Sequence, residues 1–401
     1  MEVSTRLVKM LALGATMSGA LLNGVASAQD IKIALISSKT GPLEAYAKQT
    51  ETGFTLGLEY LTQGTMALNG RKIVVLSKDD QGKPDIAKSL LEQAYADDKV
   101  DLAIGTTASG SALAMLSVAE DAKKVLIVEP AVADSITGDK WNRYIFRTAR
   151  NSTQDALAGA VSLGTGDISV ATLAQDYAFG RDGVTAIKDA LTATKSKAKI
   201  VFEEYAPQNT TDFTASAQRL FDALKDKPGR KIISIIWAGA SPFSKIMELK
   251  PDRFGIEVAP GGNILPVLKS YKPYPGIEGA VYYYYGFPKN PMNDWLVTEH
   301  KKRFNTPPDF FTAGGMAVAS AAISALKKAN GSDSEKLIAA MEGMEFDTPK
   351  GMMAFRKEDH QAMQPMYHFK VKADGKDEWD LLDLVREIPA VEMPVPVRNK
   401  R

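Results

Sequence analysis

The segment Gly105-Thr106-Thr107-Ala108-Ser109-Gly110-Ser111 stands between a strand-like run and a helical one, and its residue types suit anion chemistry. Helix N-terminal amides are unpaired by geometry and point out of the first turn. With the Thr107 and Ser109 hydroxyls they can hold a carboxylate without a metal or a basic side chain. A capped turn, in which Ser or Thr satisfies its own helix, accounts for the same residues equally well. The glycine spacing and the lack of a downstream acidic partner exclude a dinucleotide or phosphate fingerprint. Ser109 would also suit a nucleophile, but an esterase or amidase needs a base beside it. The three histidines, His300, His360 and His368, lie outside the strand-end loops.

Other polar groups offer less. Asp79 and Asp80, followed by Gln81-Gly82 and Pro84, read as a turn or helix cap rather than a metal or acid–base pair. His360 and His368 are eight apart across a proline, and a hairpin surface suits them better than a metal. The chain has no Cys, which removes thiol nucleophiles, disulfides, thiolate zinc and iron–sulfur ligation. No HExxH, GK[ST] loop or GxSxG elbow occurs. These features lead to the expectation of no catalytic residue, no metal and no cofactor.

The aromatic residues are more informative. Tyr46 in the first loop, Tyr177 and Phe179 together in the next lobe's first loop, Trp237 and Phe243 all fall in strand-end segments, where residues line a cleft more often than a core. Tyr282 to Tyr285 read as a strand whose side chains alternate, so about two face one cavity, Tyr283 being taken as one of them.

The elements that would position these groups follow a regular rhythm. Strand patterns at Ile31 to Ser37, Ile73 to Leu76, Leu102 to Gly105 and Val125 to Val128 alternate with helical ones, as in a parallel sheet covered on both faces. The rhythm restarts after Thr148, with strands at 168–174, 199–204, 231–236 and 256–259 separated by helices at 180–192, 212–225 and 241–249. Two similar α/β lobes are expected. The remainder is mixed, with helices at 291–304, 312–328 and 334–342, short strands after them, and a Pro-rich strap from Pro389 to Pro396. Open α/β sheets bind ligands beyond the carboxyl ends of their strands. Here those ends carry small, polar and glycine residues suited to surrounding a solute.

Composition agrees with that class. The 401 residues allow two or three domains, with 45% apolar and 24% charged residues. Lys plus Arg total 49 and Asp plus Glu 48, a balance that provides no nucleic-acid footprint. The first 28 residues have Arg6 and Lys9, an apolar run from Leu11 to Leu22, and the small-x-small site Ala26-Ser27-Ala28. A signal peptide cleaved after Ala28 is expected, since a run of about a dozen residues is too short for the roughly 20 that span a bilayer.

Taken in order, several stretches resemble the leucine/isoleucine/valine-binding family of bacterial periplasmic proteins that serve ATP-driven importers. They are Ile33 to Leu43 (IALISSKTGPL), Gly70 to Ile73, Lys78 to Gly82, Ile104 to Gly110, Glu129 to Thr137 (EPAVADSIT) and Tyr144 to Thr148. Asp176 to Gly180, Thr210 to Phe213, Gly351 to Phe355 and Pro365 to Tyr367 continue the series. The resemblance implies a type I periplasmic binding fold, two Rossmann-like α/β lobes joined by three crossovers. One lobe would comprise 29–148 plus 286–354, the other 149–285 plus 355–388, and 389–401 would form a C-terminal tail.

The resemblance also implies that ligand sits between the lobes, which close over it. Thr107, Ala108 and Ser109 would hold a carboxylate together with Ala131, Val132 and Ala133. Tyr177 would lie beside the ligand and Tyr46 over it, with Trp237 and Gly261 completing the wall. Arg150, Phe243 and Tyr283 are further candidates. Partners would be a small carboxylate and a membrane permease, with the protein a periplasmic monomer. Amino-acid binders of the family usually add a Thr in the second loop and an acidic residue in the loop matching Ala259 to Gly262. This chain has Pro130-Ala131-Val132-Ala133 and Pro260-Gly261-Gly262 instead. A buried ammonium without a partner costs several kcal/mol, so a benzoate-, phenylpropionate- or cinnamate-like acid is expected. An amino acid, branched-chain or other, is the alternative.

Overall fold

The computed structural model describes residues 29–163, 166–259 and 261–400. The expected signal peptide lies outside the described residues, as does Pro260. The first lobe is built from β1 (Ile31–Ser37), α1 (Glu44–Leu61), β2 (Ala67–Leu68), β3 (Arg71–Asp79), α2 (Pro84–Ala96), β4 (Leu102–Ile104), α3 (Ser109–Ala122), β5 (Leu126–Val128) and β6 (Ile145–Arg147). Its sheet has the order β2-β3-β1-β4-β5-β6 and is parallel apart from the β2 hairpin. The near-continuous apolar runs of β1, β4 and β5 are what a sheet covered on both faces requires.

The second lobe follows with α4 (Ser152–Leu163), β7 (Ile168–Gln175), α5 (Ala178–Ala193), β8 (Lys199–Ala206), α6 (Thr214–Leu224), β9 (Arg230–Ile236), α7 (Phe243–Glu248), β10 (Ile256–Ala259), α8 (Leu265–Lys269) and β11 (Glu278–Val281). Its parallel sheet runs β10-β9-β7-β8. The chain then returns to the first lobe through α9 (Pro291–Phe304), α10 (Phe310–Lys328), α11 (Ser334–Met341), β12 (Glu345–Thr348), β13 (Gly351–Phe355) and β14 (Ala362–Met363). It ends in the second with β15 (Met366–Val371) and β16 (Leu382–Ile388). Strands β11, β15 and β16 form an antiparallel sheet, as do β12, β13 and β14.

Helix α10 is long and apolar enough to cross a membrane, yet it is the buried core helix of the first lobe. Glycines let α1 approach it. A Cβ on Gly53 would stand 1.9 Å from the Thr312 carbonyl oxygen, and one on Gly315 2.1 Å from that of Thr50.

Three expectations need correction. Tyr282 to Tyr285 lie beyond the end of β11, in the connection back to the first lobe, because each side chain is claimed by a different neighbour. The Tyr283 hydroxyl donates to Asn293 Oδ1 at 2.7 Å, and that of Tyr284 donates to the Trp379 carbonyl at 2.5 Å. The last return to the second lobe comes later than Phe355, since Phe355 and Ala362 belong to the first lobe's core and Met366 to the second's. The reason is a buried knot. Arg147 donates to Gln361 Oε1 and to the Ala133 carbonyl, both at 2.6 Å, while Gln364 donates to the Thr148 carbonyl at 3.1 Å. His360 and His368 are likewise buried rather than on a hairpin surface, His360 stacking on Phe146 at 3.9 Å between ring centroids.

Candidate ligand cleft between the lobes

Ser109 opens α3, whose preceding residue, Ala108, provides no side-chain cap. Its oxygen accepts from the Val132 amide at 3.3 Å and the Ala133 amide at 3.2 Å. The hydroxyl thus joins the two expected carboxylate loops, and with its lone pairs engaged its own proton is the group left to donate. Thr107 is similarly committed, its hydroxyl oxygen accepting the Ser38 amide at 3.1 Å. Thr106 donates to the buried Asp80 carboxylate, and Asp79 accepts the Lys39 and Gln81 amides, so both acids serve the turn.

These loops form one wall of a cavity of about 830 Å³ between the lobes. Thr107, Ser109, Ala131 and Val132 line it. Ala108 and Ala133 do not, and the Ala133 carbonyl is occupied by Arg147. Tyr46, Tyr177, Trp237, Phe243 and Gly261 also line it, together with Arg150. Tyr283 is not in the wall. Tyr282, its neighbour, takes that place, with its hydroxyl buried and without a hydrogen-bond partner.

The rings are held in pairs. Tyr46 lies 4.3 Å from Phe311, Trp237 meets Phe213 edge-on at 5.1 Å, and Phe243 meets Tyr271 at 4.6 Å between centroids. Such pairing fixes rotamers, so the wall is preformed rather than assembled around a ligand.

The charged corner joins Arg150, a candidate from the sequence, to Asp155, which sequence reasoning missed. The Arg150 guanidinium donates from Nε to Asp155 Oδ1 at 3.1 Å and stacks over Phe310 at 4.7 Å. Both Arg150 and Asp155 face the cavity. Burial pushes the Asp155 carboxyl up from its usual range, and Arg150 pulls it back. Behind them, burial raises Glu129 to about 7, the Thr148 hydroxyl opposing the shift with a 2.8 Å hydrogen bond. Lys350 is held well below the usual lysine range by burial, with Arg150 adding repulsion, and its ammonium sits 3.7 Å from the Tyr282 ring centroid. A signal for Asp155 was present, because Ser152, Asp155, Ala156, Gly159, Ala160 and Leu163 share one helical face.

The lobes touch on both sides of the cleft. The Tyr46 hydroxyl accepts the Gly239 amide and bonds Asn263, while Ser135 donates from amide and hydroxyl to Asp182 at 3.0 and 2.8 Å. These hydrogen bonds tie the two lobes together across the cleft. Among the described residues no group of His, Cys, Asp and Glu could hold a metal.

Comparison with known proteins decides the family. Residues 30–376 match the family model described as periplasmic binding protein. The chain belongs to the periplasmic binding protein family. A relative, Leu/Ile/Val-binding protein homolog 6 of Brucella abortus, is 24% identical over 92% of this chain and 94% of its own length. Among solved structures, an ABC-type branched-chain amino acid transporter from Rhodopseudomonas palustris is 65% identical, with TM-score 0.81, covering 93% of this chain and 100% of its own. A solute binding protein of an ABC transporter from Rhodopseudomonas palustris BisB5, in complex with 3,4-dihydroxy benzoic acid, is 30% identical. Its TM-score is 0.77, over 91% of this chain and 99% of its own. This periplasmic binding protein therefore has the two-lobed type I fold and serves an ABC transporter as its solute-binding component, not as an enzyme. Membership also places it in the periplasm.

Proposed function

We propose that this binding protein captures an α-amino acid with an apolar side chain, branched or aromatic, and presents it as a monomer to a membrane permease. The observation that carries the reading is the Arg150–Asp155 pair in a ring-lined cleft. Arg150 and Ser109 suit the carboxylate, with Thr107, Ala131 and Val132 beside them, and the second Asp155 oxygen suits the ammonium. A zwitterion adds no net charge to a corner where Arg150 and Asp155 already offset each other, whereas a plain carboxylate adds one. The expectation of a ligand without an ammonium rested on the lack of an acceptor in 259–262, and Asp155 supplies one from a different element. The description of the 65% identical structure as a branched-chain amino acid transporter supports the same class. Secretion would follow cleavage after Ala28.

A second reading, an aromatic carboxylate, is favoured by the rings of Tyr46, Tyr177, Trp237 and Phe243 and by the dihydroxybenzoate complex of the 30% identical relative. Calorimetry of the mature protein with leucine, phenylalanine, 3-phenylpropionate and 4-hydroxybenzoate separates them. Leucine or phenylalanine should bind at least about tenfold tighter than 3-phenylpropionate, and the reverse order would give the site to aromatic acids.

A further inference from the structure

The cavity does not stop at the cleft. From Ser109 and Arg150 it continues into the second lobe between α4 and the sheet, along two faces that both run the length of the lobe. On α4 the lining positions are Ser152, Asp155, Ala156, Gly159, Ala160 and Leu163, one helical face spanning roughly 16 Å at 1.5 Å per residue. Opposite, Arg230, Ile232, Ser234 and Ile236 line it from one face of β9, while Ile235 lines the cavity from the other face. Val170 of β7 and Ala259 of β10 widen the apolar wall on that face. Among the described residues a Cβ added at Gly159 would meet no atom within 4 Å. At the far end the half-exposed Arg230 donates to the Leu163 carbonyl at 2.7 Å and pairs with Glu257 at 2.7 Å. At the near end the buried Tyr282 hydroxyl lacks a partner.

We infer that this extension is a tail channel, and that the binding protein accepts carboxylates whose hydrocarbon part is longer than a branched side chain or a single ring. The charged head stays at Arg150 and Ser109, so the inference rests on the cleft reading above. The tail passes Ala156 and Gly159 along β9. A cavity of about 830 Å³ lies in the range that holds drug-sized ligands, larger than leucine requires. Apart from the Ser234 hydroxyl midway along β9, the polar residues are at the two ends and the walls between are aliphatic, which suits a chain with one polar head. Gly159 and Ala160 set the length, since only small side chains on that face leave the channel open.

The test is a length series on the mature protein: norleucine, 2-aminooctanoate and 2-aminodecanoate, with hexanoate, octanoate and decanoate in parallel. Affinity should rise with length in the series whose head group fits, approaching about fourfold per buried methylene. Gly159→Leu should reduce binding of the longest member at least about tenfold and leave the shortest unchanged, while melting no lower, because Leu is the better helix former. Ala160→Phe is the second blocking variant. If short members bind and longer ones bind more weakly, the channel does not take the tail, and the inference falls while the cleft reading stands. If neither series binds, the neutral fluorophore N-phenyl-1-naphthylamine decides. Binding that is lost in Gly159→Leu keeps the channel and overturns the head group's placement, and no binding overturns the channel as well.

Discussion

The Tyr46 hydroxyl on the first lobe accepts the backbone amide of Gly239 on the second at 2.8 Å, and it bonds Asn263 Oδ1 at 3.0 Å. Burial raises the phenol above its ordinary range, so it stays neutral and able to donate. One side chain thus couples closure of the lobes to the wall of the cleft, because the Tyr46 ring is also packed on Phe311. Closure needs no chemical step, only a ligand that binds the closed state better than the open one.

Tyr46→Phe keeps the ring and removes two hydrogen bonds that exist only when the lobes are shut. At roughly 0.5–1.5 kcal/mol each, affinity should fall about tenfold or more with little change in the melting of the unliganded protein. Small-angle scattering at matched partial occupancy should show a smaller closed fraction. Unchanged affinity and compaction would show that Tyr46 is not a latch.

Ser109→Ala should do more than remove a ligand contact. Its oxygen accepts from the Val132 and Ala133 amides, so the substitution leaves two buried donors unsatisfied. Affinity for the solute should drop about one to two decades, from the loss of a hydrogen bond to an ion worth roughly 1.5–3 kcal/mol. Melting temperature should fall as well. Loss of stability without loss of affinity would leave Ser109 as a link between loops and put the carboxylate on Arg150 alone.

Most of the fold was legible because it rests on periodicity. Runs such as Ile31 to Ser37 admit only a buried strand, and the βα alternation leads directly to two lobes. What periodicity could not show was which residues of one element meet those of another. Tyr282 and Tyr283 are adjacent and identical in type, but only the packing of Tyr283 on Asn293 determines which of them is left for the cleft. Ala108 and Ala133 were carried into the site by a family pattern that transfers loops, whereas Arg147 holds the Ala133 carbonyl from behind. Asp155 was missed for the opposite reason. It lies on a helix rather than in a strand-end loop, on the face of α4 that lines the cavity beside Arg150.

Glu129 makes stability depend on pH in a direction unusual for a carboxylate. Burial raises it from 4.5 to about 7 despite Thr148, Arg150, Lys350 and Arg147 around it. The folded state therefore holds a proton that the unfolded chain has released, so stability falls as pH rises from about 4.5 to about 7. Asp309, also pushed to about 7 by burial, acts in the same sense. Glu129→Gln keeps an acceptor for the Thr148 hydroxyl and removes one of these contributions. The stability of the variant relative to wild type should grow across that window by up to about 3 kcal/mol, read from urea midpoints at pH 5, 6, 7 and 8. A constant difference would mean Glu129 is charged throughout and compensated by its cations.

Asp155→Asn tests the ammonium directly. Asn keeps the volume and an acceptor for Arg150 Nε, so the cleft should stay shaped, but the negative charge that would face an ammonium is gone. Removing it also leaves Arg150 with a surplus charge in a buried corner, where Asp155 had offset it at 3.1 Å. A zwitterionic solute should lose about ten- to a hundredfold in affinity, the scale of a charge-assisted hydrogen bond. A carboxylate without an ammonium should hold its affinity or gain, because it becomes the only counter-ion facing Arg150 in the cavity. Calorimetry with phenylalanine and 3-phenylpropionate on both proteins reads the two changes against each other. Equal losses for the two ligands would show that Asp155 serves only to orient Arg150, and would remove the physical basis for preferring an amino acid.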